Sequence, residues 1–462
     1  MAAENQCCKV ETQEHIAAYL ENRELVRELQ PLTCDVRLVE QVASNYIIVK
    51  RMLGHLPWQD QMICKSVCKM WCDAVQALQR ELQGPVDFVY EVVEDVDSGM
   101  LKSSGSFSKE PMAVIVFTNF GGFCKMGNCT LMSPRPCTPA CSEVHWMLDF
   151  LDQELCFPKD CDLIVRASYL CYMPLASSPS SAYTINRDMM TTTLPFICGI
   201  YIPKIPNVQY EVVNIKTNSD MKMDFFDVVD RISSTRTFKG ILVFVTDKYM
   251  LNSIDDITFL NHFKKVQPET PYALGGCIIE DTMFDRRDLS FFINNVNTDV
   301  LHRDAFISEN VVSVCMFTVP KAQEAQDSGS SCNGNFEMFS LIIESSDWSK
   351  PKILSAIKEF AENIDHFEHS VVFKLSCIGR DERHDFEQKS FRTHFPSTPL
   401  IGCYGNGELG VNHPPRPEPK LKPSANTVKR QKRLIAELGL MYSYSTVFVY
   451  MGWGKIVKPA KT

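Results

Sequence analysis

Three groups of residues have the types and spacing to do chemistry. Cys377 follows the apolar run VVFKLS and precedes Gly379, Arg380, Arg383 and His384. Cations that close would lower a thiol pKa and make it reactive, and strand ends are where α/β folds place their sites. Nucleophilic catalysis would also need a placed base and an oxyanion donor, and the sequence offers neither. Cys377 is therefore read first as structural, second as accessible and partner-facing, and last as a nucleophile. The second group is IGCYGNGELG, with four glycines between Gly402 and Gly410. Gly405, Asn406 and Gly407 could take positive φ, forming a tight turn or a small anion nest. A P-loop is excluded because no Gly-Lys-Ser/Thr follows, and a dinucleotide fingerprint because no helix clearly does. The third group is Cys124, Cys129, Cys137 and Cys141, spaced C-x4-C-x7-C-x3-C, with His145 nearby. Four thiolates could hold tetrahedral zinc, but the tight Cys-x2-Cys knuckle is missing. Loop cysteines are the preferred reading, and no cofactor is expected. Zinc-protease, lipase-elbow and kinase signatures are absent, so a non-catalytic protein is expected.

The elements that must position these residues follow from apolar periodicity. Residues 10–30 read as a polar helix within an N-terminal extension, 1–39. Residues 40–84 form a compact helical unit. Val42, Tyr46, Val49, Met52 and Leu53 line one helical face, and Leu56-Pro57 ends that helix. A second stripe runs through Ile63, Val67, Trp71, Val75 and Leu78. Residues 85–110 read as a linker. The remainder reads as a large α/β body in two parts, 111–239 and 240–462. AVIVF (113–117) and GILVFV (240–245) have the β-branched character of buried strands, and CDLIVRASYL supplies another. Glu143–Leu155 is an amphipathic helix by spacing, and 251–266 a further one. PYALGGC (271–277) and PLIGC (399–403) each follow a strand–helix pair, an echo that predicts two related halves. Segments 377–384 and 402–410, both after strands, are expected to face a common groove. Cys377, Arg380, Arg383, Gly405, Asn406 and Gly407 are thus the candidate residues for substrate or ligand.

Composition narrows the function. The formal net charge of -9 argues against general nucleic-acid binding, which draws on a basic field. No run approaches the length of a membrane span and no secretory signal is recognised, so no membrane association is expected. The 19 cysteines lie mostly in apolar runs, as reduced small hydrophobes of a cytosolic or nuclear protein do. One local exception is basic. Residues 412–433 carry seven Lys/Arg against one Glu, with five prolines. Lys429, Arg430, Lys432 and Arg433 are read as a solvated loop or as a contact for an import receptor or acidic partner.

The stretch LPWQDQMICKSVCKMW resembles an F-box: a Leu-Pro step, a short apolar helix and a V-C-[K/R]-x-x-W segment. The resemblance implies that Leu56, Pro57, Ile63, Val67, Cys68 and Trp71 hold the helices together and present a face to a Skp-type adaptor, hence to cullin and RING subunits. The alternative for this stretch is an ordinary helical hairpin packed on the body. VVFKLSCIGR…FPSTPLIGCYGNGELG with the terminal strand is similar to the C-terminal half of a FIST domain. Together they imply a small all-helical module followed by a possibly duplicated FIST-type α/β body, mixed α+β and α/β in class. The implied function is substrate receptor of a ubiquitin ligase, capturing protein targets for proteasomal degradation in cytoplasm and nucleus. The rival is a small-ligand sensor whose output passes through the adaptor.

Overall fold

The computed structural model describes residues 36–81, 83–92, 99–119, 125–126, 144–145, 162–167, 169–173, 196–216, 220–246, 259–283, 310–321, 335–344, 347–416 and 441–457. The polar helix expected at 10–30, the four loop cysteines of the zinc reading and the basic cluster 429–433 lie outside them. The chain is a mixed α/β protein in two compact units, and no described helix is long and apolar enough to cross a membrane.

The first unit is helical: α1 (Val36–Ser44), α2 (Tyr46–Leu53), α3 (Trp58–Cys64) and α4 (Lys69–Arg80). The Asn45 side chain caps α2, accepting from the N–H of Ile47 at 3.0 Å and of Ile48 at 3.2 Å; such a cap contributes about 1 kcal/mol. Leu56-Pro57 does not end α2, which stops at Leu53 with Gly54 as its C-cap. Pro57 is instead the N-cap of α3, a place where its missing N–H costs nothing. Val49 and Leu53 of α2 pack on Ala74, Val75 and Leu78 of α4, with Leu56, Cys64, Met70 and Trp71 around them. Ser106–Glu110 belongs to this unit.

The second unit contains β1 (Val86–Val92), β2 (Gly99–Ser103) and β3 (Pro111–Thr118); the short β4 (Lys125–Met126) has one residue in each unit, and its partner β5 (Val144–His145) is in the second. It continues through β6 (Asp162–Arg166), β7 (Tyr169–Met173), β8 (Phe196–Pro203) and β9 (Gln209–Lys216). A π-helical turn, Lys222–Phe226, leads into α5 (Asp227–Thr235), then β10 (Arg236–Thr246), α6 (Asn261–Val266), β11 (Ala273–Ile279), β12 (Asp281–Met283) and β13 (Asn310–Pro320). Last come β14 (Asn335–Ile343), α7 (Lys350–Asn363), β15 (Phe367–Cys377), a 3-10 turn Ile378–Arg383, α8 (His384–His394), β16 (Leu400–Gly405), β17 (Glu408–Val411), β18 (Met441–Tyr442) and β19 (Thr446–Ile456).

Three large sheets share one plan. Their orders are β12-β6-β3-β8-β1-β2, β18-β17-β11-β10-β13-β9 and β14-β19-β15-β16-β7. Each has one parallel pair at its centre: β3 with β6, β10 with β11, β15 with β16. On one side two antiparallel strands follow: β8 and β1, β13 and β9, β19 and β14. The strand on the other side comes from another repeat. β7 follows β6 but pairs with β16, β12 follows β11 but pairs with β6, and β17 follows β16 but pairs with β11. The expected two halves are therefore three repeats with cyclic strand exchange.

Several boundaries change accordingly. The expected linker 85–110 carries β1 and β2, both in the first sheet. CDLIVRASYL is two strands in two different sheets. Most of Glu143–Leu155 is outside the described residues, and its described pair Val144–His145 is strand, not helix. The inner faces of all three sheets pack into one core that includes Phe117, Leu163, Leu242, Phe244, Phe373, Leu375 and Trp453. The π-helical turn, α5 and α6 cover the outer face of the second sheet through Phe225, Val229, Ile232 and Phe263. α7 and α8 cover the third through Ile353, Ile357, Phe360 and Phe391.

Candidate functional site

Two places carry the functional residues, one in each unit. In the helical unit, the α2 periodicity divides. Val49 and Leu53 are buried, but Tyr46, Ile47, Ile48 and Met52 face solvent, with Ile47 77% exposed. Ile48 and Met52 are four apart and so neighbours on one helix face. Val67, in the turn before α4, is 59% exposed and Cys68 is exposed beside it. Ile63, Leu56 and Pro57 are half-buried. Trp71 faces inward, and its indole N–H donates to the Ala43 carbonyl at 3.1 Å, tying α4 to α1. The motif residues thus split into a holding set, Leu56 and Trp71, and a displayed set, Val67 and Cys68. The buried Gln61 gave no sequence signal. Its amide donates to the Leu56 carbonyl at 3.0 Å, and its carbonyl accepts from Gln79 at 2.7 Å.

In the α/β unit, the register sets Cys377 opposite Gly405, so 377–384 and 402–410 meet, but not across the common groove that was expected. They meet as a buried polar spine. Cys377 is 7% exposed, and its N–H donates to the Ser445 carbonyl at 2.9 Å. Burial, then the Glu408 carboxylate, push its thiol pKa up, the reverse of the activation expected from neighbouring arginines. Those arginines are engaged elsewhere. Arg380 is buried in an ion pair with Glu387, both side chains being fully inaccessible, and donates to the Tyr444 carbonyl at 2.7 Å. Arg383 donates to the Trp348 carbonyl.

The glycine loop is a structural turn. Asn406 N–H donates to the Ile278 carbonyl at 3.0 Å, and Ile278 N–H to the Gly407 carbonyl at 2.9 Å. Neither Gly405 nor Gly407 has positive φ. Gly405 is required for close approach, since a Cβ there would lie 2.1 Å from the Ile278 carbonyl oxygen. These bonds commit the Asn406 N–H, central to the expected nest, to the neighbouring backbone.

Sequence reading also missed several spine residues, for which hydrophobic patterning gives no warning. Glu408 is buried, its Oε2 accepting from Ser445 N–H at 3.1 Å and Ser445 Oγ at 2.7 Å. Burial pushes its pKa up to about 8, against the opposing pull of Ser445. Lys374 lies buried on β15, its ammonium donating to the His384 carbonyl at 3.3 Å and lying 5.2 Å from the Tyr404 ring centre. Burial lowers its pKa. Burial, then Lys374 and Arg380, hold the His384 pKa at about 2, so the imidazole is neutral. Its Nδ1 is 3.4 Å from Ser376 Oγ, which also lies 2.7 Å from Thr446 Oγ1. The atom types are those of a nucleophile and base. Both groups are buried, however, and the hydroxyl is shared with Thr446, so the pair ties β15 to α8 and β19. Among the described residues no group of His, Cys, Asp and Glu is arranged to hold a metal.

No family model matches the sequence. At the level of class, the chain shows distant homology to an F-box-family protein. In particular, it is 26% identical over 132 residues to F-box only protein 22 of Homo sapiens, covering 27% of this chain and 31% of that protein. The Pongo abelii protein of the same name is 26% identical over 133 residues, with 27% and 31% covered. The chain thus matches less than a third of the length of these curated relatives. Among solved structures, a cyanuric acid hydrolase from A. caulinodans aligns with 79% of this chain and 98% of its own at 9% identity, with a TM-score of 0.26. That score is too low to bear on fold or activity.

Proposed function

We propose that this chain is a substrate receptor of a Skp–cullin–F-box ubiquitin ligase, without chemistry of its own. The helical unit binds the Skp-type adaptor, and the α/β unit captures protein targets for ubiquitination and proteasomal degradation in cytoplasm and nucleus. The observation that carries the proposal is the apolar row Tyr46, Ile47, Ile48 and Met52, exposed on α2 although the unit has a core for α2 to bury against. A unit this small gains stability by covering such a face with a partner. The distant similarity to an F-box protein says which partner to test first.

The test is co-purification of the full chain with a recombinant Skp-type adaptor. Ile47→Asp and Val67→Asp should each abolish capture while far-UV circular dichroism and the melting profile stay unchanged, because both side chains point to solvent. Leu56-Pro57→Ala-Ala or Trp71→Ala should also lose capture, but by loosening the helical unit itself. Retained capture by both aspartate variants would end the proposal.

A further inference from the structure

Beside the start of α7, three cations lie on two aromatic rings and a fourth is bonded to the backbone of one of them. Lys352 Nζ lies 3.9 Å from the centre of the Trp348 ring, and the Arg416 guanidinium carbon 5.0 Å from the same ring. Lys350 Nζ is 5.3 Å from the Phe386 ring centre. Arg383 is held next to them through the Trp348 carbonyl. None of the four makes an ion pair among the described residues, in a protein whose net charge is -9.

Two details set this cluster apart from a solvated basic face. Arg416 is partly buried, and its Nη2 is a buried donor without a hydrogen-bond acceptor among the described residues, an arrangement that costs free energy until an acceptor arrives. Glu344 and Glu359 act on it only through space. The first turn of α7 also carries Lys350 and Lys352 and no acid, the reverse of what the helix dipole favours. Both costs are relieved by an anion. The rings hold the heads of Lys350, Lys352 and Arg416 by cation–π contact, which leaves their N–H donors for a ligand.

We infer that the Trp348–Lys350–Lys352–Arg383–Arg416 cluster is a docking site for an anionic peptide segment, and rest its role in target capture on the receptor function proposed above. The shared chemistry is a row of side-chain oxyanions, from phosphoserine or from consecutive Asp/Glu. A peptide is favoured over nucleic acid because the cluster is local and the rest of the protein is acidic.

Fluorescence anisotropy with the full chain tests it, using three labelled peptides of equal length: phosphoserine-rich, glutamate-rich and uncharged Gly/Ser. At least one anionic peptide should bind in a salt-sensitive manner, and the order of the two identifies the source. Lys350→Gln/Lys352→Gln should weaken that binding at least ~10-fold, and Arg416→Gln should also weaken it. Melting profile and adaptor capture should not change in the lysine variant, whose side chains are exposed. Equal binding of the uncharged peptide, no binding of either anionic peptide, unchanged affinity in the lysine variant, or tighter cluster-dependent binding of an oligonucleotide would overturn the inference. Adaptor capture is read separately, so loss of the receptor function and loss of this site are distinguishable.

Discussion

Arg380 and Glu408 show how the polar spine is held and what titrates in it. Arg380 and Glu387 are a fully inaccessible ion pair, with Thr446 Oγ1 donating to Glu387 at 2.7 Å. Removing one partner leaves a buried charge, a loss of about 3–5 kcal/mol. Arg380→Met should therefore lower stability strongly in chemical denaturation, and adding Glu387→Met should recover part of the loss. Glu408 behaves differently. Its native pKa is about 8 against an ordinary 4.5, so the native state holds a proton that the unfolded chain releases. Stability from this group is complete below the ordinary value, falls as pH rises through the interval, and is flat above about 8. Glu408→Gln should raise stability relative to the parent near about pH 9 and change it little near about pH 4. Urea melts at the two pH values check this, and an equal difference at both would refute it. The neighbourhood of Cys377 was legible as a cluster at a strand end, but its burial was not. Glu387, Glu408 and Thr446 come from three different elements, and no local pattern around Arg380 names them as its surroundings.

Strands and helices were legible wherever one face is buried against a regular layer. GILVFV and VVFKLS are parallel-sheet centres because β-branched runs fit a strand covered on both faces. Pairing was less legible. β6 and β7 read as one run because both are apolar, and only the break at Ala167 and Ser168 marks the change of sheet. The glycine echo was visible, but its cause is contact between backbones. A Cβ at Gly402 would lie 1.8 Å from the Lys374 carbonyl oxygen, and one at Gly276 lies 2.2 Å from that of Val243. Gly402→Ala should force β15 and β16 apart and destabilise the α/β unit by about 1–3 kcal/mol, measured as a lowered midpoint in urea. An unchanged midpoint would show that the strands relax freely. In α2, periodicity located the helix but not its buried side. Tyr46, Val49, Met52 and Leu53 all look like core residues in sequence, and only packing on α4 selects Val49 and Leu53.

At the scale of the molecule, the helical unit has its own core, and the three sheets share another. Deleting residues 1–81 should accordingly abolish adaptor capture but leave a cooperative melt, checked by circular dichroism; loss of the melt would make the two units interdependent. Inside the α/β unit no such division is possible. Deleting β19, which pairs with both β14 and β15, should unfold all three sheets together. The cyclic exchange of β7, β12 and β17 carries a further meaning. One repeat cut free would own a donor strand and an empty acceptor edge of matching shape, a head-to-tail contact that closes into a ring at three copies. The unit is thus a trimeric ring written on one chain. Covalent tethering frees each copy to diverge without breaking closure, so the third repeat can carry the cations around Trp348 without the other two having to match it.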